Sequence, residues 1–447
     1  MSDKAQALTR SCPNTPVGRQ LAWWLSMLID EGDGASSADW DRYEPELRAE
    51  LGPLQTPEAM REAWRGNAAR FGGDITEVSV EAVSEHDAIA TIRTVRDRRW
   101  TIRLTLADEW PHRMARFDIQ RKHDFQLGFR EATLEDAELL SDIERRCPIV
   151  MGDTSVHFER GAHYFDGLRL MEDWSVGLAS VDGVPAAVSC GAEHVVRIGG
   201  ALKKLVTVSH LRVLPEHQRK GLWGAANKVL EKYWDHVDGS NAYISVENLA
   251  MQHGFAGTPN KWGQVVQRIL LDCAALAGPP VGRPATPADA AMIATRLNAC
   301  HGDEEMFVPY TAEGVAARLS RAPDLYGWDR IWLTDRALVG AWPAGDAQKV
   351  ITTVGGQRSV SVSAIVLDYA FEPGAETELE ALLRAWCGWL AARGMDTLVI
   401  YSSPASPGSQ LLAGLARATD AFFMWTPGIP VPPGAETRGL YTDAVYF

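Results

Sequence analysis

The segment LPEHQRKGLWG, residues 214–224, combines residue types that bind phosphate groups in an otherwise acidic chain. Gly221 and Gly224 would let a ligand approach the backbone, and Arg219 and Lys220 would supply positive charge. The apolar run before the segment predicts a strand, and GAANKVLEKYW predicts a helix. A strand-to-helix turn directs unpaired backbone N–H groups and the positive helix end towards one point. The segment predicts a phosphate or pyrophosphate site; the alternative is a plain glycine turn with two solvated cations.

This segment also resembles the shared motif of the GCN5-related N-acetyltransferase (GNAT) family. In that motif a strand ends in hydrophobic-x-Val-x-Pro and is followed by Q/RxxGxG/A. Leu211, Val213 and Pro215 match the strand end, and Gln218 and Gly221 match the first two positions of the second part. The resemblance covers about 145 residues within the region 126–277 and implies an acetyl-CoA-dependent N-acetyltransferase.

The chain departs from the family motif at its third position. Trp223 stands where the family has Gly or Ala, and Gly224 follows one residue late. The side chain of Trp223 must point away from the phosphates or pack against the ligand. A purely structural domain, in which Trp223 prevents binding, therefore stays open as a third hypothesis.

The resemblance implies that backbone amides of the motif bind the pyrophosphate of acetyl-CoA. If the strand separates from its neighbour after Arg212, backbone groups of Leu211 and Val213 can bind the pantetheine arm as an added strand would. The implied acetyl-CoA-binding residues are Leu211, Arg212, Val213, Gln218, Arg219, Lys220, Gly221, Leu222, Trp223, Gly224 and Asn248. Acetyl-CoA is the expected cosubstrate, and no metal is expected.

The general base is not evident in the sequence. Family members that use a strand residue place it nine or eleven positions before the motif glutamine, which gives Ser209 and Thr207. Neither is an efficient base. His210 lies between them, and strand alternation directs it to the other face unless a bulge turns it.

The second family motif offers little more. It is represented by VENLAMQHGF, in which Asn248, Gly254 and Phe255 match but the family tyrosine is absent. Glu247 and His253 are the ionisable residues of this stretch. The candidates for catalysis are therefore His210, Ser209 and Glu247, and a proton path through water is an alternative.

An internal repeat divides the chain after residue 125. RPATPADAAMIATRLNAC, from Arg283, aligns with the sequence from Arg130 at a constant shift of 153 residues. The matched pairs are Arg130/Arg283, Ala132/Ala285, Thr133/Thr286, Asp136/Asp289, Ala137/Ala290, Cys147/Cys300 and Asp182/Asp335. We therefore predict two copies of one fold, residues 126–277 and 278–447, joined by LAGPPVGRP.

The second copy lacks the chemistry of the first. At the same shift, the motif becomes FEPGAET, in which only Gly374 is retained. Glu372 and Glu376 would repel pyrophosphate, and Pro373 has no N–H to donate. We expect a degenerate copy that completes the substrate pocket or orients the domains, and that ends in GLYTDAVYF as a strand.

Residues 1–125 form a third region. Helices are predicted in VGRQLAWWLSMLI and from Thr56 as N-cap, followed by the strands TEVSVEAV, AIATIRTV, RWTIRLTL and HRMARFDI. This order resembles the cystatin-like domains of the nuclear-transport-factor-2 type. The predicted fold class is mixed: a cystatin-like α+β domain, then two tandem GNAT folds with mostly antiparallel central sheets flanked by helices. The tryptophans of this region, Trp23, Trp24, Trp40, Trp64 and Trp100, are expected in the core or an interface.

Composition limits the function. The formal net charge is −14 and no region is basic, which argues against nucleic acid or a membrane surface as a partner. Six scattered cysteines and the absence of a signal peptide predict a cytoplasmic protein. An acidic surface favours a cationic acceptor such as an amino sugar or polyamine, with Asp153, Glu159 and Asp166 as candidate pocket acids.

The sequence therefore predicts an acetyl-CoA-dependent N-acetyltransferase that acts on the amine of a small molecule. The alternative is a non-catalytic acyl-CoA-binding regulatory or interaction protein. A homo-oligomer is possible in either case.

Overall fold

The computed structural model describes residues 2–45, 47–48, 56–71, 75–95, 98–109, 111–122, 125–218, 220–248, 251, 261–427, 429–430 and 432–446. The chain divides into two compact units, Met1–Phe125 and Gln126–Phe447. Within the described ranges, no helix has both the length and the apolar character needed to cross a membrane.

The first unit contains helices followed by an antiparallel meander. The helices are α1 (Asp3–Thr9), α2 (Pro16–Ile29) and α3 (Pro57–Phe71). The strands, paired in chain order, are β1 (Ile75–Ala82), β2 (Asp87–Thr94), β3 (Arg99–Leu106) and β4 (Met114–Lys122). The Thr56 hydroxyl accepts a hydrogen bond from Ala59 N–H at 3.2 Å, which confirms the predicted N-cap. Trp24 and Trp64 are buried in the core of this unit, and the other three tryptophans pack against it.

The second unit is built on one twelve-stranded sheet. Its first strands and helices are β5 (Leu127–Glu131), α4 (Ala137–Arg146), β6 (Ile149–Met151), β7 (Thr154–Glu159), α5 (Asp166–Arg169), β8 (Asp173–Val181), β9 (Val184–Ile198), β10 (Ala201–Val213), α6 (Leu222–Ala226), α7 (Glu231–Trp234), β11 (Gly239–Ser245), β12 (Lys261–Asp272) and α8 (Cys273–Leu276). The predicted hairpin of β8 and β9, with its turn at Asp182–Gly183, and the long strand β10 are confirmed. The predicted helix GAANKVLEKYW is instead two short α-helices separated by a 3₁₀ stretch.

The rest of the unit again begins with a short strand and a helix, and then follows its own order. It contains β13 (Arg283–Pro284), α9 (Ala290–His301), α10 (Ala312–Ser320), β14 (Ile331–Leu333), β15 (Ala337–Trp342), β16 (Lys349–Val354), β17 (Gln357–Ser361), β18 (Ser363–Phe371), α11 (Glu376–Ala391), β19 (Thr397–Ser402), α12 (Ser409–Leu415) and β20 (Ala418–Pro427). The predicted strand GLYTDAVYF is wrong. Residues 441–443 are irregular and Ala444–Tyr446 is a 3₁₀ turn, because side chains hold this tail: Asp443 is bonded to Arg318.

The two sequence halves of the second unit exchange their last strands. The sheet order is β13-β14-β15-β18-β19-β12-β20-β11-β10-β9-β8-β5. Strand β12 therefore lies beside β19 of the other half, and β20 lies between β11 and β12. A smaller sheet, β17-β16-β7-β6, also combines strands of both halves. Neither half completes its sheet alone.

Local structure repeats at the shift of 153 residues. Arg130 donates two hydrogen bonds to Asp136 at 2.7 and 2.6 Å, and Arg283 donates two to Asp289 at 2.9 and 2.6 Å. In both places the aspartate also accepts a backbone N–H at 2.8 Å from a capping threonine. In each pair the arginine guanidinium lowers the pKa of its aspartate partner. The pKa of Asp136 falls to about 2, and the pKa of Asp289 falls below its ordinary range.

Candidate functional site

A wedge opens between β10 and β11. The two strands pair in parallel only along Leu205–Thr207 and Gly239–Asn241. Beyond Thr207, the described strands pair β10 only with β9, while β11 pairs with β20. The separation was predicted after Arg212 and begins five residues earlier.

A bulge in β10 explains how the strand leaves its neighbour. The pairing of β10 with β9 shifts between Ser209 and Arg212, and His210 has a φ of 51°. A bulge increases the local twist of a strand and bends it. The wedge is thus part of the strand's own geometry, and its facing edges offer backbone groups for hydrogen bonds.

The wedge forms a cleft of about 490 Å³. Seven of the residues singled out in the sequence line it: Ser209, His210, Leu211, Arg212, Trp223, Glu247 and Asn248. Apolar side chains of β6, β7, β10 and β11 line much of the remainder. The cleft thus joins the strand residues predicted to bind a pantetheine arm with the start of the helix after the motif.

The motif turn has the predicted backbone conformation. Gly221 has a φ of 87° and is the N-cap of α6. The first intrahelical bond runs from Ala225 N–H to the Gly221 carbonyl, so the N–H groups of Leu222, Trp223 and Gly224 precede the helical ladder. These are the groups that the resemblance assigns to pyrophosphate, and this assignment stays a prediction.

The side chains of the motif take different positions around this turn. The Gln218 amide donates to the Val213 carbonyl at 3.5 Å, and Lys220 Nζ is 3.3 Å from His217 Nδ1. Leu222 is buried and Gly224 is exposed. Arg219 lies outside the described residues, as do His253, Gly254 and Phe255 of the second motif.

Trp223 is 42% exposed and lines the cleft. Its indole therefore faces space that a ligand could occupy, and whether it packs against the ligand or points away from the phosphates stays a prediction. A half-exposed indole at the mouth of a cleft is a stacking surface for a flat group.

His210 belongs to a cluster of charged and polar groups in the cleft wall. Its Nδ1 is 3.0 Å from the Tyr164 hydroxyl and 3.3 Å from Arg160 Nη1. Glu144, 2% exposed, holds Arg160 at 3.2 Å and Arg212 at 3.7 Å. Burial, together with the two arginines, lowers the pKa of His210 well below its ordinary value. The bulge turns His210 into the cleft, contrary to simple strand alternation, but its ring is engaged by Arg160 and Tyr164.

Further candidate site residues that line the cleft are Glu247, Asn248 and Ser209. Glu247 and Asn248 lie at the end of β11, where the Asn248 side chain accepts a hydrogen bond from Met251 N–H at 3.3 Å. Ser209 lies on the bulged part of β10. The assignment of these residues to the site stays a prediction.

Sequence reasoning missed a histidine at the apex of the wedge. His194 Nε2 is 2.9 Å from the Thr207 hydroxyl and 3.2 Å from Asn241 Oδ1. The Thr207 hydroxyl donates to Asn241 Oδ1 at 2.8 Å. Thr207 and Asn241 are the last paired residues of β10 and β11. His194 therefore lies where the two strands part.

His194 is buried, and this burial lowers the pKa of the imidazole, so the ring is neutral near pH 7. It stacks on Tyr446 with ring centroids 4.2 Å apart. The sequence contained a pattern that indicates the position of His194, the glycine pair of a hairpin turn. A hairpin turning at Gly199–Gly200 places His194 opposite Leu205, two residues from Thr207.

A second pocket of about 300 Å³ opens on the other side of this apex. His194 lines it, and Tyr243 and Tyr446 line both this pocket and the cleft. Its walls come from both halves of the unit: residues 172–243 on one side, and 306–321 with 441–446 on the other. The cleft and the second pocket therefore share part of their walls.

The acids predicted for the substrate pocket lie elsewhere. Glu159 pairs with Arg358 at 2.9 Å, Asp166 accepts from His163 at 2.9 Å, and Asp153 lies in the turn between β6 and β7. None of the three lines the cleft or the second pocket. The same segment instead contributes Phe158 and Arg160 to the cleft.

No protein-family model and no curated protein matches the chain. Among solved structures, the chain is similar to Saccharomyces cerevisiae N-myristoyltransferase with bound myristoyl-CoA, at 10% identity over 68% of this chain and 84% of that chain (TM-score 0.49). It is also similar to GCN5-related N-acetyltransferases from Sphaerobacter thermophilus, at 14% identity over 68% and 96% of the two chains (TM-score 0.41), and from Kribbella flavida, at 13% identity over 67% and 71% (TM-score 0.38). These neighbours are N-acyltransferases.

Proposed function

We propose that the protein is an acyl-CoA-dependent N-acyltransferase that transfers the acyl group, with acetyl the first to test, directly to the amine of a small molecule. One observation carries the proposal: the cleft beside the separated strands β10 and β11 shares two wall residues, Tyr243 and Tyr446, with the second pocket, which His194 lines. A ligand in the cleft and a second ligand in the pocket would meet at Tyr243 and Tyr446.

The cleft suits the cosubstrate at both of its ends. The open edge of β10 at Leu211, Arg212 and Val213 can bind the amides of pantetheine as an added strand would. Towards the Gly221 turn, the backbone of residues 221–224 and the side chains of Gln218, Arg219 and Lys220 would hold the pyrophosphate. Trp223 would stack on the cosubstrate, and Asn248 would contact it from β11.

The chemistry requires an unprotonated amine beside the thioester carbon. We assign the proton acceptor to Nδ1 of His194, which is neutral and lines the second pocket. Its Nε2 carries the hydrogen, because Nε2 faces Asn241 Oδ1 and the Thr207 hydroxyl oxygen, and that hydroxyl donates to Asn241. The amine nitrogen bonds to the carbonyl carbon, the carbon–sulfur bond breaks, and the thiolate leaves and takes up a proton as free CoA. Holding both reactants in the wedge supplies much of the rate by proximity.

We further propose that residues 126–277 and 278–447 are two copies of the GNAT fold, of which only the first binds a cosubstrate. The repeated Arg–Asp pairs and capping threonines support this, as does the shared pocket. The second copy would complete the acceptor site. A cystatin-like fold for residues 1–125 agrees with the helix and strand order of that unit.

Calorimetry with acetyl-CoA, butyryl-CoA and octanoyl-CoA tests the cosubstrate, and release of free thiol across a panel of amines tests transfer. We expect binding of at least one acyl-CoA and amine-dependent thiol release. Binding without thiol release would favour the acyl-CoA-binding regulatory protein. Absence of binding by all three would overturn the proposal.

A further inference from the structure

The pocket lined by His194, Tyr446 and the 306–321 segment, here named the acceptor pocket, has a charge arrangement that selects among amines. Arg318 Nη1 and Nη2 donate to the two carboxylate oxygens of Asp443 at 2.7 and 2.9 Å. Arg318 Nε donates to Asp368 at 3.2 Å, and the Tyr326 hydroxyl donates to the same carboxylate at 2.7 Å. Two carboxylates share one guanidinium, so this cluster has one net negative charge when both acids are ionised.

Asp443 and Arg318 both line the acceptor pocket, whereas Asp368 does not. Burial raises the pKa of the Asp443 carboxyl, but its pairing with the Arg318 guanidinium outweighs burial and holds the pKa below its ordinary value. Asp443 Oδ1 also accepts the Val445 N–H at 3.2 Å, so Oδ2, bonded to Arg318 Nη1, is the oxygen with a second lone pair for a further donor. One ammonium group would therefore find one carboxylate to bind.

The other acid that lines the pocket, Glu172, is neutralised by an arginine. Glu172 pairs with Arg321 at 2.9 Å, and both residues line the pocket. A second ammonium would meet Arg321 as well as Glu172, and a carboxylate on the ligand would meet the negative cluster at Asp443. Neither a polycation nor an amino acid matches this arrangement.

The remaining walls are aromatic and aliphatic. Phe307, fully buried, fixes Tyr310 and Tyr441 with ring centroids 5.9 and 4.9 Å away, and Tyr446 is fixed by its stack on His194. The aliphatic lining consists of Val195, Val196, Met306, Val308 and Pro309. Val195 is 45% exposed although apolar, so a bound apolar group would cover it.

We propose that the acceptor is a small monoamine: a single ammonium on an aromatic or aliphatic body, without a carboxylate and without further cationic groups. The acceptor binds with its ammonium at Asp443 and its body among the tyrosines and aliphatic side chains, and it becomes the neutral, attacking amine when one ammonium proton passes to His194. This inference rests on the proposed function for its catalytic meaning. It departs from the amino sugar or polyamine that net charge suggested, because both acids of the pocket already have arginine partners.

The test uses the full-length protein and four probes: 2-phenylethylamine, L-phenylalanine, spermidine and glucosamine. L-Phenylalanine differs from 2-phenylethylamine only by its carboxylate and is the matched probe. Direct calorimetric titration of each amine, with and without acetyl-CoA, is combined with thiol release. We expect 2-phenylethylamine to bind at least tenfold more tightly than the other three and to have the highest kcat/KM.

Two variants on α10 test whether the amine binds in the acceptor pocket, and a third removes the charge of Asp443. Ala317 lines the pocket and is exposed, so Ala317→Trp should weaken 2-phenylethylamine binding at least tenfold and leave the acetyl-CoA affinity within twofold. Ser320→Trp lies on the same helix outside the pocket and should change neither affinity. Asp443→Asn should weaken amine binding at least tenfold; if this variant does not fold, the Ala317→Trp result decides.

Preference for spermidine, glucosamine or L-phenylalanine would overturn the inference, as would an unchanged amine affinity in Ala317→Trp. Failure of the two proposals is distinguishable. Absence of acyl-CoA binding with intact, Ala317-dependent amine binding contradicts the transferase and supports the pocket. Acyl transfer to spermidine in preference to 2-phenylethylamine contradicts the pocket and supports the transferase.

Discussion

The second unit contains two wedges of the same design, one open and one filled. Strands β18 and β19 pair in parallel along Ser363–Ile365 and Thr397–Val399 and then separate, as β10 and β11 do. Where β10 and β11 leave a cleft of about 490 Å³, the space beyond β18 and β19 is about 10 Å³. His301, Tyr369 and the tail at 440–442 occupy it. Separated strands provide a site only where the rest of the chain leaves the wedge empty.

The turns beside the two wedges have the same backbone conformation and different chemistry. Gly221 has a φ of 87° and Gly374 a φ of 79°. Beside Gly374, Arg336 donates to Glu372 at 3.2 Å and to the Pro373 carbonyl at 2.9 Å. The glycine thus preserves the turn in both halves. The charges of the neighbouring side chains determine whether an anion can bind there.

The histidines that line the second pocket and the filled wedge also differ. Burial lowers the pKa of His194 by disfavouring the charged imidazolium, and it outweighs the opposing effects of Asn241 and of nearby acids. Burial would also lower the pKa of His301, but Cys300 and Glu304 outweigh it and raise the pKa to about 10. His194 is therefore suited to accept a proton, and His301 is a permanent half of a buried ion pair.

The largest expected effect is on acetyl-CoA affinity, and it distinguishes the Gly221 turn from the Gly374 turn. Gly221→Asp places a carboxylate where the pyrophosphate would bind and should weaken acetyl-CoA binding by about 100-fold or more, because a like-charge contact costs a few kcal/mol. Gly374→Asp imposes the same backbone strain and should change the affinity less than twofold. Calorimetry on both variants, with matched thermal melts, decides; an equal loss in both would contradict the assignment of the first turn.

The next largest effect is on kcat, and it distinguishes His194 from His301. His194→Gln should lower kcat by roughly 10²- to 10⁴-fold, since it removes the proton acceptor, and leave acetyl-CoA affinity within about threefold. His301→Gln should leave kcat per folded molecule unchanged and lower the free energy of unfolding by about 1–3 kcal/mol, because Glu304 loses its buried partner. A wild-type kcat in His194→Gln would remove that residue from the mechanism.

The pH dependence of stability should report the raised pKa of His301. A raised folded-state pKa means that the stabilisation is fully present below the ordinary value of 6.5 and is lost as pH rises through about 10. The difference in free energy of unfolding between wild type and His301→Gln should therefore shrink between pH 7 and pH 11. Urea denaturation across this range measures it, and a difference independent of pH would show that His301 is neutral in the fold.

The smallest effect is expected at the second glycine of the motif. A Cβ at Gly224 meets no atom within 4 Å and its φ is not positive, so Gly224→Ala needs no rearrangement. We expect acetyl-CoA affinity within threefold of wild type and a gain in stability of about 0.5–1 kcal/mol from the better helix former. A loss as large as that of Gly221→Asp would mean that the ligand packs directly on the Gly224 Cα, where an added methyl group would displace it.

Local features of this protein could be predicted from the sequence because local chemistry determines them. The Gly221 turn follows from glycine's access to positive φ, the hairpin of β8 and β9 from Asp182–Gly183, and the repeat from residues at a constant shift. The same reasoning placed Leu211, Arg212 and Trp223 near one site, where the structure has them lining one cleft.

Only the tertiary structure decided which residues meet at the apex and which wedge stays open. His194 reaches Thr207 through the register of β9 on β10, and Asn241 reaches it through a parallel pairing across a helical crossover. The exchange of β12 and β20 between the halves brings the tail at 440–446 to the centre of the sheet, where it fills one wedge and lines the pocket of the other. These contacts join residues far apart in the chain, so their positions depend on the packing of the whole unit and not on any local pattern.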